Sequence, residues 1–162
     1  MSNKTELFES LHTDYYGMVH QMCIGFMKGD GDLAKDLTQE TFINTWSALE
    51  KFKGTSSYKT WIYRITVNTC LKYIRDSKVK NQVSIDSELQ LPDAMDTVAE
   101  EMHQNLYTAI GQLSELDRLI IMMVLEELEY NEIAEVVGIN EGNLRVKIHR
   151  IKKNLKKILA NE

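Results

Sequence analysis

Tyr130-Asn131-Glu132-Ile133-Ala134-Glu135-Val136-Val137-Gly138-Ile139-Asn140-Glu141-Gly142-Asn143-Leu144 is the stretch that decides the fold. A short helix bearing Ile133, Ala134 and Val137 runs into Gly138, and a second helix starts around Asn140 or Glu141. Ala134 is small where the second helix must cross closely. Gly138 allows a left-handed backbone at a sharp turn, and Ile139 and Leu144 close the wedge between the helices. Asn140 suits the N-cap, because its side chain accepts a hydrogen bond from an orphan amide of the first turn. This order of small residue, glycine and apolar residue is the spacing of a helix-turn-helix. In that motif the second helix enters the major groove and its N-terminal residues meet base edges. An ordinary tight helical hairpin uses similar residues, so the neighbouring charge matters.

Residues 142–160 carry seven Lys or Arg and no acid, whereas residues 115–141 carry eight acids and one Arg. Leu144, Ile148, Ile151, Leu155 and Ile158 step by four, three, four and three, which is the buried stripe of an amphipathic helix. Arg145, Lys147, His149, Arg150, Lys152, Lys153, Lys156 and Lys157 take the other faces. Cations near a helix C-terminus also suit the helix dipole on a plain solvated surface. An acid-free basic helix in the recognition position of a helix-turn-helix, within a chain of net charge −5, points instead to one face built for a polyanion.

The rest of the chain is that of a modest helical protein. Its 162 residues are 43% hydrophobic, with a single proline and recurrent helical periodicity. No window approaches the roughly 18 apolar residues of a membrane span, and the first residues lack the apolar run of a signal peptide. Cys23 and Cys70 are far apart in sequence, within apolar helical patterns, and are expected to be reduced core thiols of a cytoplasmic protein. His12, His20, His103 and His149 are scattered, so no metal site, cofactor site or catalytic set emerges. Residues 78–100 break the periodicity, hold Pro92 and carry five acids against two lysines, the composition of a linker. Fully extended, such a segment reaches at most about 75–80 Å, against about 70 Å for two turns of DNA.

The N-terminal half predicts three helices. The first, about residues 5–28, aligns Leu7, Leu11, Tyr15, Met18, Met22 and Phe26. The second, 33–52 with Asp32 as N-cap, is expected to bury Leu33, Leu37, Trp46 and Leu49, and to gather Asp36, Gln39 and Glu40 on another face. The third spans about 59–77. Between the last two, the polar loop from Phe52 to Tyr58 is flanked by aromatics and lysines, which suit unstacked bases. Aromatics at such spacing serve equally as core.

Together these stretches resemble a family. Asp32-Leu33-Ala34-Lys35-Asp36-Leu37-Thr38-Gln39-Glu40-Thr41-Phe42, Phe52-Lys53-Gly54, Thr60-Trp61-Ile62-Tyr63-Arg64-Ile65-Thr66-Val67-Asn68 and the helix-turn-helix are similar, in that order, to the extracytoplasmic-function (ECF, group 4) bacterial sigma factors. The resemblance implies an all-α chain of two small helical domains. Residues 1–77 would contact core RNA polymerase and the –10 element, 78–102 would be a flexible linker, and 103–162 would bind the –35 element. It implies that Asp36, Gln39 and Glu40 dock on the polymerase. Phe52, Lys53, Gly54, Ser57, Tyr58 and Asn68 would capture a flipped –10 base, an event costing a few kcal/mol that stacking and hydrogen bonds offset. Alternatively, Asn68 would bond the backbone of the 53–58 loop and merely shape it. Trp61 matches an aromatic of the family whose expected job is core packing. Asn143, Arg145, Lys147 and Arg150 match the –35 reading surface, on a framework of Ala134, Gly138 and Leu144. Implied partners are core polymerase, promoter DNA and an anti-sigma factor, with no small-molecule substrate, no membrane insertion, no cofactor and no metal.

Lys72 stands where many members carry an acid or amide, and Asn143-Leu144 replaces a more usual Thr-Val pair, so promoter preference does not carry over at those positions. The chain ends two residues past the last expected helix, and no C-terminal regulatory extension is expected. Two other classes fit part of the pattern. A free-standing helix-turn-helix regulator would bind a palindrome as a dimer without polymerase. An interaction protein would dock the basic helix on an acidic partner and show no salt-dependent DNA affinity.

Overall fold

A computed structural model describes residues 3–80 and 98–161, and every regular element in them is helical. Helices α1 (Asn3–Phe26), α2 (Gly31–Ala48) and α3 (Tyr58–Lys80) pack on one another as an N-terminal unit, with a 3-10 turn at Leu49–Lys51 after α2. Helices α4 (Val98–Gly111), α5 (Glu115–Leu125), α6 (Tyr130–Val137) and α7 (Glu141–Ala160) form the C-terminal unit. The centre of the expected linker, residues 81–97, lies outside the described residues; its two ends are helical turns of α3 and α4.

Local chemistry explains the breaks. Lys28 and Gly29 adopt φ of 59° and 88° and turn the chain out of α1. Asp30 is then extended, and its Oδ1 accepts the Leu33 amide at 3.1 Å. The cap is therefore Asp30 and not the expected Asp32. The left-handed steps fall on Lys28 and Gly29, so Gly31 enters the helix as an ordinary first-turn residue. Helix α2 buries Ala34, Leu37, Thr38, Thr41, Phe42 and Thr45. Each of the three threonines donates its hydroxyl to the carbonyl four residues earlier, so none is left unpaired in the core. Two expectations for this helix fail. Leu33 is only half-buried, and Trp46 is 38% exposed at the rim, covered by the edge of Phe8 and by the Lys4 ammonium 4.1 Å above its ring.

The two units share one hydrophobic core. Helix α5 packs on α1, and α6 packs on α3. The α5 run from Leu119 to Met123, every residue of it buried, is apolar all round because α5 is covered on both sides. Gly25 of α1 is bare where the Met122 side chain crosses, and any Cβ there would collide with it. Beside it Arg118, only 5% exposed, donates from Nε to the Phe26 carbonyl at 3.0 Å and from a terminal nitrogen to the Leu113 carbonyl at 2.7 Å. Its guanidinium lies 5.0 Å from the centre of the Phe26 ring. Around this buried seam, Tyr107 donates to Gln21 at 2.8 Å, Lys78 pairs with Glu115 at 3.0 Å, and Arg64 of α3 meets the Glu135 carboxylate and carbonyl of α6 at 3.6 and 3.1 Å. The Lys78 ammonium holds the Glu115 carboxyl below its usual range.

Candidate nucleic-acid interface

Helix α7 begins where the sequence places it. Gly138 closes α6 at φ 75° and ψ 31°, and the Asn140 side chain accepts the Asn143 amide at 2.8 Å. A capping box of Glu129 and Glu132 starts α6. Leu144, Ile148, Ile151 and Leu155 are buried against the rest of the unit, with Ile158 half-buried. Ala134, 7% exposed, lets the two helices approach. These three framework residues thus fix the angle at which α7 leaves the body.

The charged surface of α7 divides into held and free groups. The Arg145 guanidinium pairs with Glu141 at 2.9 Å and lies 5.2 Å from the Tyr130 ring centre. Lys147 reaches back to Asp117 of α5 at 3.1 Å. Asn143, His149, Arg150, Lys152, Lys153, Lys156 and Lys157 are exposed, with no ion pair among the described residues. Exposed pairs such as Arg145–Glu141 contribute about 0–1 kcal/mol, so a phosphate or base edge can displace them. An acid-free array of this kind suits a phosphate backbone.

The second region lies on the N-terminal unit. Phe52 stacks on Tyr58 with ring centres 4.4 Å apart and 27° between planes, and it tilts against Trp61 at 4.9 Å. All three rings are half-buried, so Trp61 serves packing and surface at once. Lys53 and Gly54 are exposed beside them, Gly54 at φ 74°. Ser57 does something the sequence did not suggest. Its hydroxyl accepts the Thr60 amide and donates to the Thr60 hydroxyl, both at 3.1 Å, and so caps α3. Asn68 is exposed on the outer side of α3, and its amide bonds neither the 53–58 backbone nor any other described residue. The loop-shaping role weighed for Asn68 is therefore not what the structure contains.

The third region is the outer face of α2. Asp36, Gln39 and Glu40 are all exposed, without an ion pair among the described residues. One turn beyond Gln39, Ile43 is 58% exposed, and Trp46 continues the same face. Neither was singled out as a contact from sequence. Apolar residues on the polar side of an amphipathic helix were the available signal.

Two thiols and one phenol are buried away from these surfaces. Cys23 and Cys70 share a hydrogen bond in the core as free thiols, and that bond, followed by burial, raises Cys70 well above the usual thiol range. The Tyr63 hydroxyl is buried with no partner among the described residues, and burial, then Glu126 and Glu132, push its ionisation upward. Among the described residues no group of His, Cys, Asp or Glu is arranged to hold a metal, and no helix is long and apolar enough to cross a membrane.

Comparison with known proteins gives a consistent account. Residues 7–79 match the family described as Sigma-70 region 2, and residues 103–155 match Sigma-70 region 4. The chain is 32% identical over 130 residues to the ECF RNA polymerase sigma-E factor of Haemophilus influenzae, an alignment covering 71% of this chain and 68% of that protein. It is 31% identical over 136 residues to the RNA polymerase sigma factor YlaC of Bacillus subtilis, covering 78% and 77%. Two solved structures share the fold. The sigma factor RpoE of Bartonella quintana, in complex with the anti-sigma factor NepR, superposes with a TM-score of 0.76 at 21% identity, over 94% of this chain and 96% of that one. CnrH, in complex with the cytosolic domain of CnrY, gives 0.72 at 19% identity, over 98% and 90%. With both regions matched in order on an all-helical, two-unit fold, the chain belongs to the sigma-70 family, within its extracytoplasmic-function group of RNA polymerase sigma factors.

Proposed function

We propose that the two units divide the work of this sigma factor. The N-terminal unit, residues 1–77, docks on core polymerase through Asp36, Gln39 and Glu40, with Ile43 as an apolar centre of the same face. Its second surface, comprising Phe52, Lys53, Gly54, Tyr58 and Asn68, takes a base of the –10 strand, with Ser57 holding the start of α3. Residues 103–162 read the –35 element through Asn143, Arg145, Lys147 and Arg150. The chain performs no chemistry, since phosphodiester synthesis belongs to the polymerase, and it acts in the cytoplasm. The observation that carries this reading is α7: an exposed face with no acid beyond Glu141, on a helix whose entry angle is set by Gly138 and the Asn140 cap.

The packed arrangement is the form of the protein off the promoter. Helix α7 packs on α6 and α6 on α3. Two helix-to-helix steps of about 8–10 Å each put α7 roughly 20 Å from α3. The –10 and –35 elements lie about 25 base pairs apart, or roughly 85 Å along the duplex at about 3.4 Å per pair. The units must separate to read both. Seventeen residues, 81–97, join the described ends, with a reach of at most about 60 Å beyond the units themselves. An anti-sigma partner is the expected regulator, supported by the fold relative RpoE, which is seen with the anti-sigma factor NepR. Run-off transcription with core polymerase, with and without this chain, on the DNA upstream of its own gene tests the proposal. Transcripts starting at one site only when the chain is present are expected. Specific binding of a palindrome by the chain alone, with no effect on polymerase, would overturn it.

A further inference from the structure

We infer that Val146 is a specificity-determining residue that reads the 5-methyl group of a thymine in the –35 element. The inference rests on the –35 role assigned to α7 above. Apolar and polar residues are cleanly segregated along the first half of this helix: Leu144, Ile148 and Ile151 are buried. Val146 is the exception, 50% exposed in the second turn. A single exposed valine on a protein surface needs no explanation. Here three neighbouring features give it one.

First, Val146 shares its face with Asn143 and Arg150, three residues before it and four after, both exposed. Asn and Arg are side chains that pair bidentately with adenine and guanine edges. The valine therefore stands between two base-reading groups on a helix whose first turns enter the groove. Second, the residues on either side of it in sequence are drawn away. Arg145 is held by Glu141 and Tyr130, and Lys147 by Asp117. Residues one apart on a helix do not share a face, so neither cation overlies the valine even when released to DNA. Third, the position one turn earlier is Gly142, where a Cβ would press on the Asn140 capping oxygen at 3.3 Å. A side chain there would crowd the cap by a few tenths of an ångström, and with glycine in place the surface in front of Val146 is left low.

A low, uncharged apolar spot has one complement in the major groove. The thymine methyl is the sole apolar feature that a base pair presents there, and small apolar side chains contact it. Cytosine, which lacks the methyl and offers an amino donor, leaves the valine unpaired and the donor unmet. The preferred –35 element accordingly contains a thymine at the step between those faced by Asn143 and Arg150.

The test uses the chain bound to core polymerase. A –35 sequence is first selected by this holoenzyme from duplexes randomised over that element. Each thymine is then replaced by deoxyuridine, which removes only the methyl group. The wild-type holoenzyme should lose roughly fourfold in affinity at one thymine, the scale of one buried methyl. Val146→Ala should bind the thymine duplex roughly fourfold more weakly and be indifferent to the uracil replacement. Val146→Thr, which keeps a methyl group on the same branch, should restore sensitivity. A flat uracil scan with a well-defined selected sequence overturns the inference while leaving the –35 role standing. Equal uracil sensitivity in wild type and Val146→Ala also overturns it, by giving the methyl to another residue. Failure to select any –35 sequence, with transcription unaffected by the chain, removes the –35 role itself.

Discussion

Replacing Arg118 by alanine should loosen the seam between the two units. The guanidinium is 5% exposed and makes two hydrogen bonds, one across the seam to the Phe26 carbonyl at 3.0 Å and one within the C-terminal unit to Leu113 at 2.7 Å. Hydrogen bonds to a charged group contribute about 1.5–3 kcal/mol each. Removal also relieves the guanidinium of its desolvation, the effect that lowers its pKa, so the lower half of that range is the better figure. The bond to Phe26 is the one that opposes separation. Its loss shifts the balance of packed and separated units by about 1.5–2 kcal/mol, or roughly ten- to thirtyfold. Small-angle X-ray scattering reads this directly, since a packed 162-residue chain has a radius of gyration of about 15 Å. The wild type should lie close to that value and Arg118→Ala several ångströms above it. Circular dichroism checks that the helices persist, because the Leu113 bond is lost as well. Gly25→Leu approaches the same seam from α1, where the new side chain meets Met122, and should expand the molecule without touching Arg118. An already extended wild type, or two variants that scatter as it does, would refute the packed state.

Four further outcomes are expected. Asp36→Arg with Glu40→Arg should abolish co-purification with core polymerase while leaving stability within about 0.5 kcal/mol, since both sites are exposed; retained binding with an intact spectrum would remove the docking assignment. Arg145→Ala should cost about 1–3 kcal/mol in –35 binding and relax sequence choice, and an equal loss on every sequence would reduce Arg145 to a backbone contact. With 2-aminopurine at successive –10 positions, Asn68→Ala should suppress the fluorescence rise at one position only; because Asn68 is exposed and unbonded, a lowered melting temperature of the free protein would contradict its placement. Tyr63 has its ionisation raised by burial first and then by Glu126 and Glu132, so its stabilising share is complete below pH ~10, the unfolded value, and is lost as pH rises above it. Tyr63→Phe should therefore be equal to or about 1 kcal/mol more stable than wild type at pH 7 and lose less between pH 7 and 10.5, as measured by thermal melts.

The helix-turn-helix was legible because its determinants are local. A left-handed glycine, an asparagine cap and a stripe of period 3.6 each act within a few residues, and Gly138, Asn140 and Leu144 all stand as expected. The start of α2 was misjudged by two residues because two glycines flank Asp30 and sequence does not say which takes the turn; Lys28 and Gly29 share it. Trp46 was expected in the core with the other apolar residues of this helix, and it sits at a rim where Phe8 and Lys4 cover it. The seam between units was the larger omission. Periodicity reports that a face is buried and not what buries it. The run from Leu119 to Met123 lacks any polar side and was the one clue that α5 is covered twice. Of the candidate sites, the exposed faces at Asp36 and Asn143 follow from periodicity. The capture of Lys147 by Asp117 and the use of Ser57 as a cap depend on distances that a linear pattern does not carry.

The seam also gives the molecule an order of events. In the packed form the outer face of α2 is open, whereas the two surfaces proposed above to read DNA would stand too close together to span a promoter. On the proposed assignments a first encounter with polymerase through α2 would carry no conformational penalty, whereas engaging both promoter elements would. If the packed form is favoured by about 2 kcal/mol, simultaneous reading of –10 and –35 by the free chain is weakened about thirtyfold. By reciprocity, whatever separates the units strengthens promoter binding by the same factor. Discrimination against naked DNA would then be a matter of reach as well as of net charge, relieved once the proposed docking on polymerase separates the units.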